Sequence, residues 1–140
     1  MNTGLLLRRD IINSNIWNIW KFFPCIHFSI VEMATKKILL ARSMENYLNR
    51  WSATHARNIK IDITNKAIAI AYNWPNYYFF PEDEISIILQ LWPKRGVDLL
   101  QTVELFNILD EAQITTNISY NKISDNTTVL EFFANWLSIC

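Results

Sequence analysis

The chain has 140 residues, room for about one domain, and its 13 Lys and Arg balance 13 Asp and Glu to a formal charge of zero. A hydrophobic content of 51% with 19% charged residues excludes a wholly disordered or fibrous protein. Only 2 Gly and 4 Pro exclude a glycine-rich phosphate loop and argue against a many-turned sandwich or barrel.

The expected fold is therefore mainly α, a single-domain helical bundle of about five helices with one small β-hairpin. Residues 1–32 read as an N-terminal amphipathic extension: Leu5, Ile12, Ile16, Ile19, Trp20 and Phe23 recur at near-helical spacing among Arg8, Arg9 and Lys21. Such a segment suits a targeting peptide, an interfacial helix or a helix docked on the core. Met33 is an alternative start. Pro24 ends this first helix, because the residue before a proline is pushed out of the helical region.

Residues 33–140 read as one globular domain. From Met33 to Arg57, Leu40, Met44, Tyr47, Leu48 and Trp51 make an apolar stripe that predicts one core-facing helix. Over 58–72, Ile59, Ile61 and Ile63 alternate with Lys60 and Asp62, and Ile68, Ile70 and Tyr72 resume the alternation after Thr64-Asn65-Lys66. That pattern predicts the hairpin, with Ala67, Ala69 and Ala71 leaving a helix as the alternative.

The aromatic stretch Asn73 to Pro81 contains no Arg or Lys, so it reads as core cover and nucleic-acid binding is not expected. Glu82, Asp83 and Glu84 fall in the first turn of a helix expected to reach Trp92, where acids complement the helix dipole. A further helix is expected from Asp98 to about Gln113, with an apolar face including Leu100, Val103, Leu105 and Leu109 and a polar face including Glu104, Asp110 and Glu111. After a polar connector, Thr128 and Glu131 form the S/T-x-x-E signature of a last helix, with Asp125 as an alternative cap. Trp51, Trp74, Trp92 and Trp136 are candidate buried anchors, each needing a partner for its indole N–H if enclosed.

Charge is uneven along the chain. Residues 1–57 carry eight bases against three acids, and residues 97–140 carry Lys122 against six acids. Either the two ends pack on one another, or the acidic end steers toward a basic partner. Cys25 and Cys140 match no metal or redox spacing, so a reducing interior, cytoplasmic or mitochondrial, is the expected setting. No apolar run is long enough to span a bilayer, although residues 1–30 retain the composition for lying on a membrane surface.

The sequence offers no catalytic set and no cofactor or metal signature. His27 and His55 stand alone, no nucleophile elbow or dinucleotide fingerprint occurs, and adjacent carboxylates such as Asp110 and Glu111 do not face one another on a helix. The chain is expected not to be an enzyme.

The run Gly96-Val97-Asp98-Leu99-Leu100-Gln101-Thr102-Val103-Glu104-Leu105, with Leu109-Asp110-Glu111 and then Asn126-Thr127-Thr128-Val129, resembles the C-terminal half of an acyl carrier protein. In that family a G-x-D-S-L motif opens an acidic helix, often continuing as T-V-E-L, and a T-T-V-like cap opens the final helix. The likeness covers about residues 82–140. The family's prosthetic-group serine corresponds to Leu99, which has no hydroxyl to carry a phosphopantetheine arm. The upstream part departs as well, with the hairpin and aromatic loop where the family places its first helix.

The resemblance, less its serine, implies a non-enzymatic carrier-like subunit whose acidic helix is recognised by a protein partner with a basic surface. Asp98, Glu104, Asp110 and Glu111 would supply that face. The alternative is an immunity- or antitoxin-type antagonist that binds and neutralises a partner protein, for which small size, aromatic content and acidity are suitable.

Overall fold

A reciprocal bond splits the long helix expected over 33–57. Ser43 N–H donates to Asn46 Oδ1 and Asn46 N–H to Ser43 Oγ, both at 3.1 Å, a capping box that starts a new helix. The computed structural model describes residues 4–54, 59–93, 99–116, 118 and 123–137. Among them lie α1 (Arg8–Ile12), α2 (Asn15–Trp20), α3 (His27–Leu40), α4 (Met44–Thr54), α5 (Ile59–Ala71), α6 (Ile85–Ile88), α7 (Leu99–Glu111) and α8 (Val129–Phe132). Pro24 opens a 3-10 turn, Pro24–Ile26, that leads into α3, and a π-helical turn, Phe133–Leu137, continues α8.

The hairpin predicted over 58–72 is absent: Ile59–Ala71 form α5, and no strand occurs among the described residues. The period was hidden because two positions of the buried stripe are polar. Ile61, Thr64, Asn65, Ile68, Ala71 and Tyr72 follow i, i+3, i+4, i+7, i+10, i+11 and are all buried. Thr64 returns its hydroxyl to the Lys60 carbonyl at 2.7 Å, and Asn65 donates to Tyr47 Oη at 2.9 Å. An apolar-only reading therefore sees the isoleucine alternation and misses the helix. α5 packs on α7 through the latter's buried Leu105 and Leu109.

Three helices stop by the same device, with glutamine or asparagine where glycine is usual. Asn73, Gln90 and Gln113 adopt φ of 58°, 59° and 62° just beyond α5, α6 and α7. The next amide in each case reaches back five residues: Trp74 to Ala69, Leu91 to Ser86 and Ile114 to Leu109, at 2.8–2.9 Å. Each carries an apolar residue at that next position, the hydrophobic contact that accompanies this cap. A chain with 2 Gly can thus end its helices sharply. It also explains why α6 is only four residues long where the sequence predicts a helix to Trp92.

Short extended segments from both ends of the chain meet at residues 83–85. Glu84 N–H donates to the Leu6 carbonyl and Ile85 N–H to the Thr127 carbonyl, both at 2.9 Å, and Glu84 forms an isolated antiparallel bridge with Thr128. Thr128 accepts from Glu131 N–H at 3.2 Å and caps α8, as its S/T-x-x-E spacing predicts. Leu6, Ile85, Phe132 and Phe133 are consequently in one buried cluster. Of the four tryptophan anchors, Trp51 and Trp74 are buried and donate to the Phe79 and Ile88 carbonyls at 2.9 and 3.0 Å. Trp92 and Trp136 are only partly buried.

Glu82, Asp83 and Glu84 do not serve as dipole partners. Each meets a different arginine: Glu82 meets Arg50 of α4, Asp83 meets Arg42 of the α3–α4 turn, and Glu84 meets Arg8 of α1. The Arg42–Asp83 pair is bidentate at 2.6 and 2.8 Å and almost wholly removed from solvent. Asp83 also accepts from Leu6 and Phe80 N–H, while Arg42 donates to the Gly4 and Tyr78 carbonyls and stacks 3.7 Å above the Phe80 ring. Much of the basic character of the first 57 residues is thereby consumed inside the molecule, and Arg8 extends the pattern to Asp125 at 3.5 Å.

Candidate functional site

α7 buries one side against α5 and leaves the other open. Leu105 and Leu109 face the core, while Leu100, Val103, Glu104, Asn107, Asp110 and Glu111 are exposed. At 100° per residue those six positions fall within an arc of about 120°, so they form one stripe along the helix. Its apolar members are unusually open, Leu100 at 84% and Val103 at 54%. Its acids take part in none of the ion pairs among the described residues. Of the four acids that the sequence nominates, Glu104, Asp110 and Glu111 are thus brought together, and Asp98 lies outside the described residues. Leu99 is the first residue of α7.

A concavity of about 1080 Å³ was not foreseen from the sequence. One complete face of α3, Ile30, Met33, Ala34, Lys37, Ile38 and Ala41, makes its long wall at i, i+3, i+4, i+7, i+8, i+11. Asn46, Asn49 and Arg50 of α4 make another, α1, α2 and their connection a third through Asp10, Ile11, Ser14 and Ile16, and Arg42 with Phe80 completes the lining. The only sequence signal for it is that α3 carries two stripes. Ile30, Val31, Thr35 and Leu39 are buried, and a second, partly overlapping face is neither charged enough for free solvent nor covered.

α4 and α5 share a buried polar cluster. Tyr47 donates to Asp62 Oδ1 at 2.6 Å and accepts from Asn65. Burial, followed by the hydrogen bond to Asp62, holds the Tyr47 phenol well above the ordinary tyrosine value of 10.0. The phenol keeps its proton in the fold and loses it near that value when unfolded. Its contribution to stability is therefore whole below pH 10.0 and declines above it, by up to about 1.4 kcal/mol per pH unit. Denaturant titrations from about pH 8 to about pH 11 should show a steeper loss of stability for the wild type than for Tyr47→Phe. Parallel curves would contradict this assignment.

The remaining chemistry-bearing residues are structural where they are described. His27 stacks on Trp17 with ring centroids 4.3 Å apart and donates Nε2–H to the Trp20 carbonyl at 3.2 Å, and Trp17 stacks in turn on Trp92. Cys25 is free and exposed, and His55 and Cys140 lie outside the described residues. Among the described residues no cluster of His, Cys, Asp and Glu could hold a metal ion, and no helix is long and apolar enough to cross a membrane. In comparison with known proteins, no family model, no curated sequence and no solved structure matches the chain.

Proposed function

We propose that the chain is a non-enzymatic, carrier-like protein-binding subunit that docks the open stripe of α7 on a protein partner with a basic surface. The observation that carries this reading is the composition of the stripe. Two bulky apolar side chains, Leu100 and Val103, stand in solvent beside acids that the fold does not neutralise with any described residue. Elsewhere the molecule pairs its acids closely, as at Glu82, Asp83 and Glu84. An apolar centre flanked by unpaired charge is what a protein interface requires: burial of Leu100 and Val103 supplies affinity, and the acids supply encounter rate and partner choice. The position of Leu99 at the start of α7, without a hydroxyl, favours the binding half of the carrier-like role over the cargo-carrying half.

The test is the double variant Glu104→Lys/Glu111→Lys, since the two positions lie seven apart on one face of α7 and both are exposed. Exposed charge changes alter stability by about 0.5 kcal/mol or less, so circular dichroism and melting should match the wild type. The complex isolated with the wild-type chain should be lost with the variant, and the wild-type complex should weaken as salt is raised. A complex retained by the variant would overturn the proposal.

A further inference from the structure

The uncovered face of α3 is the strongest remaining feature, and it is independent of the α7 surface: residues 4–50 and Phe80 build it, with no contribution from α7. Its volume, about 1080 Å³, is at the upper end of the usual range of small-molecule sites. Its α3 wall is apolar except for one lysine. Ile16, Ile30, Met33 and Ala34 form an apolar end, with Met33 54% and Ile16 37% exposed at its lip. On the same α3 wall Lys37 stands between Ala34 and Ile38, and Asn46, Asn49 and Arg50 line the groove from α4.

Among the described residues, the unpaired positive charge of the lining is on Lys37. Arg42 and Arg50 also line the groove, but each is paired, with Asp83 at 2.6 Å and with Glu82 at 3.0 Å. Arg42 is nine-tenths buried and its charge is balanced by Asp83. Lys37 is exposed and makes no ion pair among the described residues, which leaves its ammonium for a ligand. The single acid of the lining, Asp10, belongs to the α1 wall and disfavours an anion there.

We infer that this groove binds a single-chain amphiphilic acid, its alkyl chain lying along Ile30, Met33 and Ala34 and its carboxylate on Lys37 at the α4 end. From residue 30 to residue 41 the α3 wall is about 16 Å long, enough for a medium-length chain and its head group. The apolar end supplies most of the affinity through area removed from water. The cation selects the head group, because an uncharged chain of equal length gains nothing from Lys37.

The experiment is calorimetric titration of the full chain with monomeric decanoate, with decanol as the uncharged control and phosphatidylglycerol vesicles as a separate arm. Decanoate should bind saturably with one site per chain, and decanol about five- to ten-fold more weakly. Lys37→Glu should remove that preference while leaving decanol binding unchanged. Ala34→Trp should block both ligands by filling the apolar end. Met33→Asp, at an exposed lip where folding is not at stake, should weaken both should the tryptophan variant not fold. Absence of saturable decanoate binding, equal binding of decanol, or wild-type binding by the folded groove variants would overturn the inference. Binding to vesicles without binding of monomeric decanoate would do so too, assigning lipid contact to the exposed side chains at Ile19, Phe22 and Phe23 instead.

Discussion

Replacing Asp83 with alanine should lower the stability of the fold by about 3–5 kcal/mol, the cost of leaving a buried charge without its partner. Arg42 would retain its position over Phe80 and its bonds to the Gly4 and Tyr78 carbonyls, but its bidentate carboxylate would be gone. The Leu6 and Phe80 amides would lose their acceptor in the same step, and each buried orphan adds to the loss. Set against a typical total of about 5–15 kcal/mol, this is a large fraction of what holds the chain folded. Glu82→Gln makes the matched control, because the Arg50–Glu82 pair is about 40% exposed on both sides and worth at most about 1 kcal/mol. Chemical denaturation of the two variants checks the claim. An Asp83→Ala protein within 1 kcal/mol of wild type, as expected only of an exposed pair, would show that the Arg42–Asp83 pair does not hold these segments together.

Deleting residues 1–32 should unfold the remainder. Leu6, Ile11, Ile30 and Val31 are all at most 4% exposed, and four such side chains contribute about 6–12 kcal/mol by area removed from water. Their loss alone matches the stability of an ordinary domain. The truncation also strips the Leu6 amide from Asp83 and the Arg8 side chain from Glu84 and Asp125, and it cuts α3 within its buried stripe. A chain starting at Met33 should therefore show collapsed amide dispersion in a heteronuclear NMR spectrum. A dispersed spectrum with a cooperative melt would mean that residues 33–140 fold alone and that the contacts of Leu6 and Ile11 add little.

Legibility from the sequence followed the range of the interactions involved. The cap at Thr128 is a signal four residues long, and it is used as written. The Ser43–Asn46 box is equally local, but an apolar stripe that continues in register from Leu40 through Met44 to Tyr47 runs across it and hides the break. Both Leu40 and Met44 turn out exposed because they flank that break instead of sitting in mid-helix. Over α5 the apolar residues alternate while the buried ones do not, since Thr64 and Asn65 occupy core positions with their polar groups satisfied. No apolar periodicity can reveal a buried asparagine whose partner, Tyr47, lies 18 positions away.

The acids show the same division. For α7, helical spacing puts Glu104 and Glu111 on one face opposite Leu105 and Leu109, but the expected apolar face is corrected at Leu100 and Val103, which fall on the acids' side of the helix and are exposed. For Glu82, Asp83 and Glu84, position in a first turn was a sufficient local reading, yet each carboxylate is claimed by an arginine 32–76 residues distant. The groove beside α3 assembles residues from α1, α2, α3, α4 and Phe80, and only its α3 wall has a period that a sequence could display.

The protein-binding claim is tested most directly by the native mass of the chain isolated from its own source, with every co-isolated chain identified. The account predicts a complex of fixed stoichiometry with a second protein whose contact surface is basic, and an unmodified mass for this chain, since Leu99 offers no hydroxyl for a prosthetic arm. A bare monomer would contradict the docking role of α7, and a chain carrying a covalent arm would contradict the separation of binding from cargo on which the proposal rests.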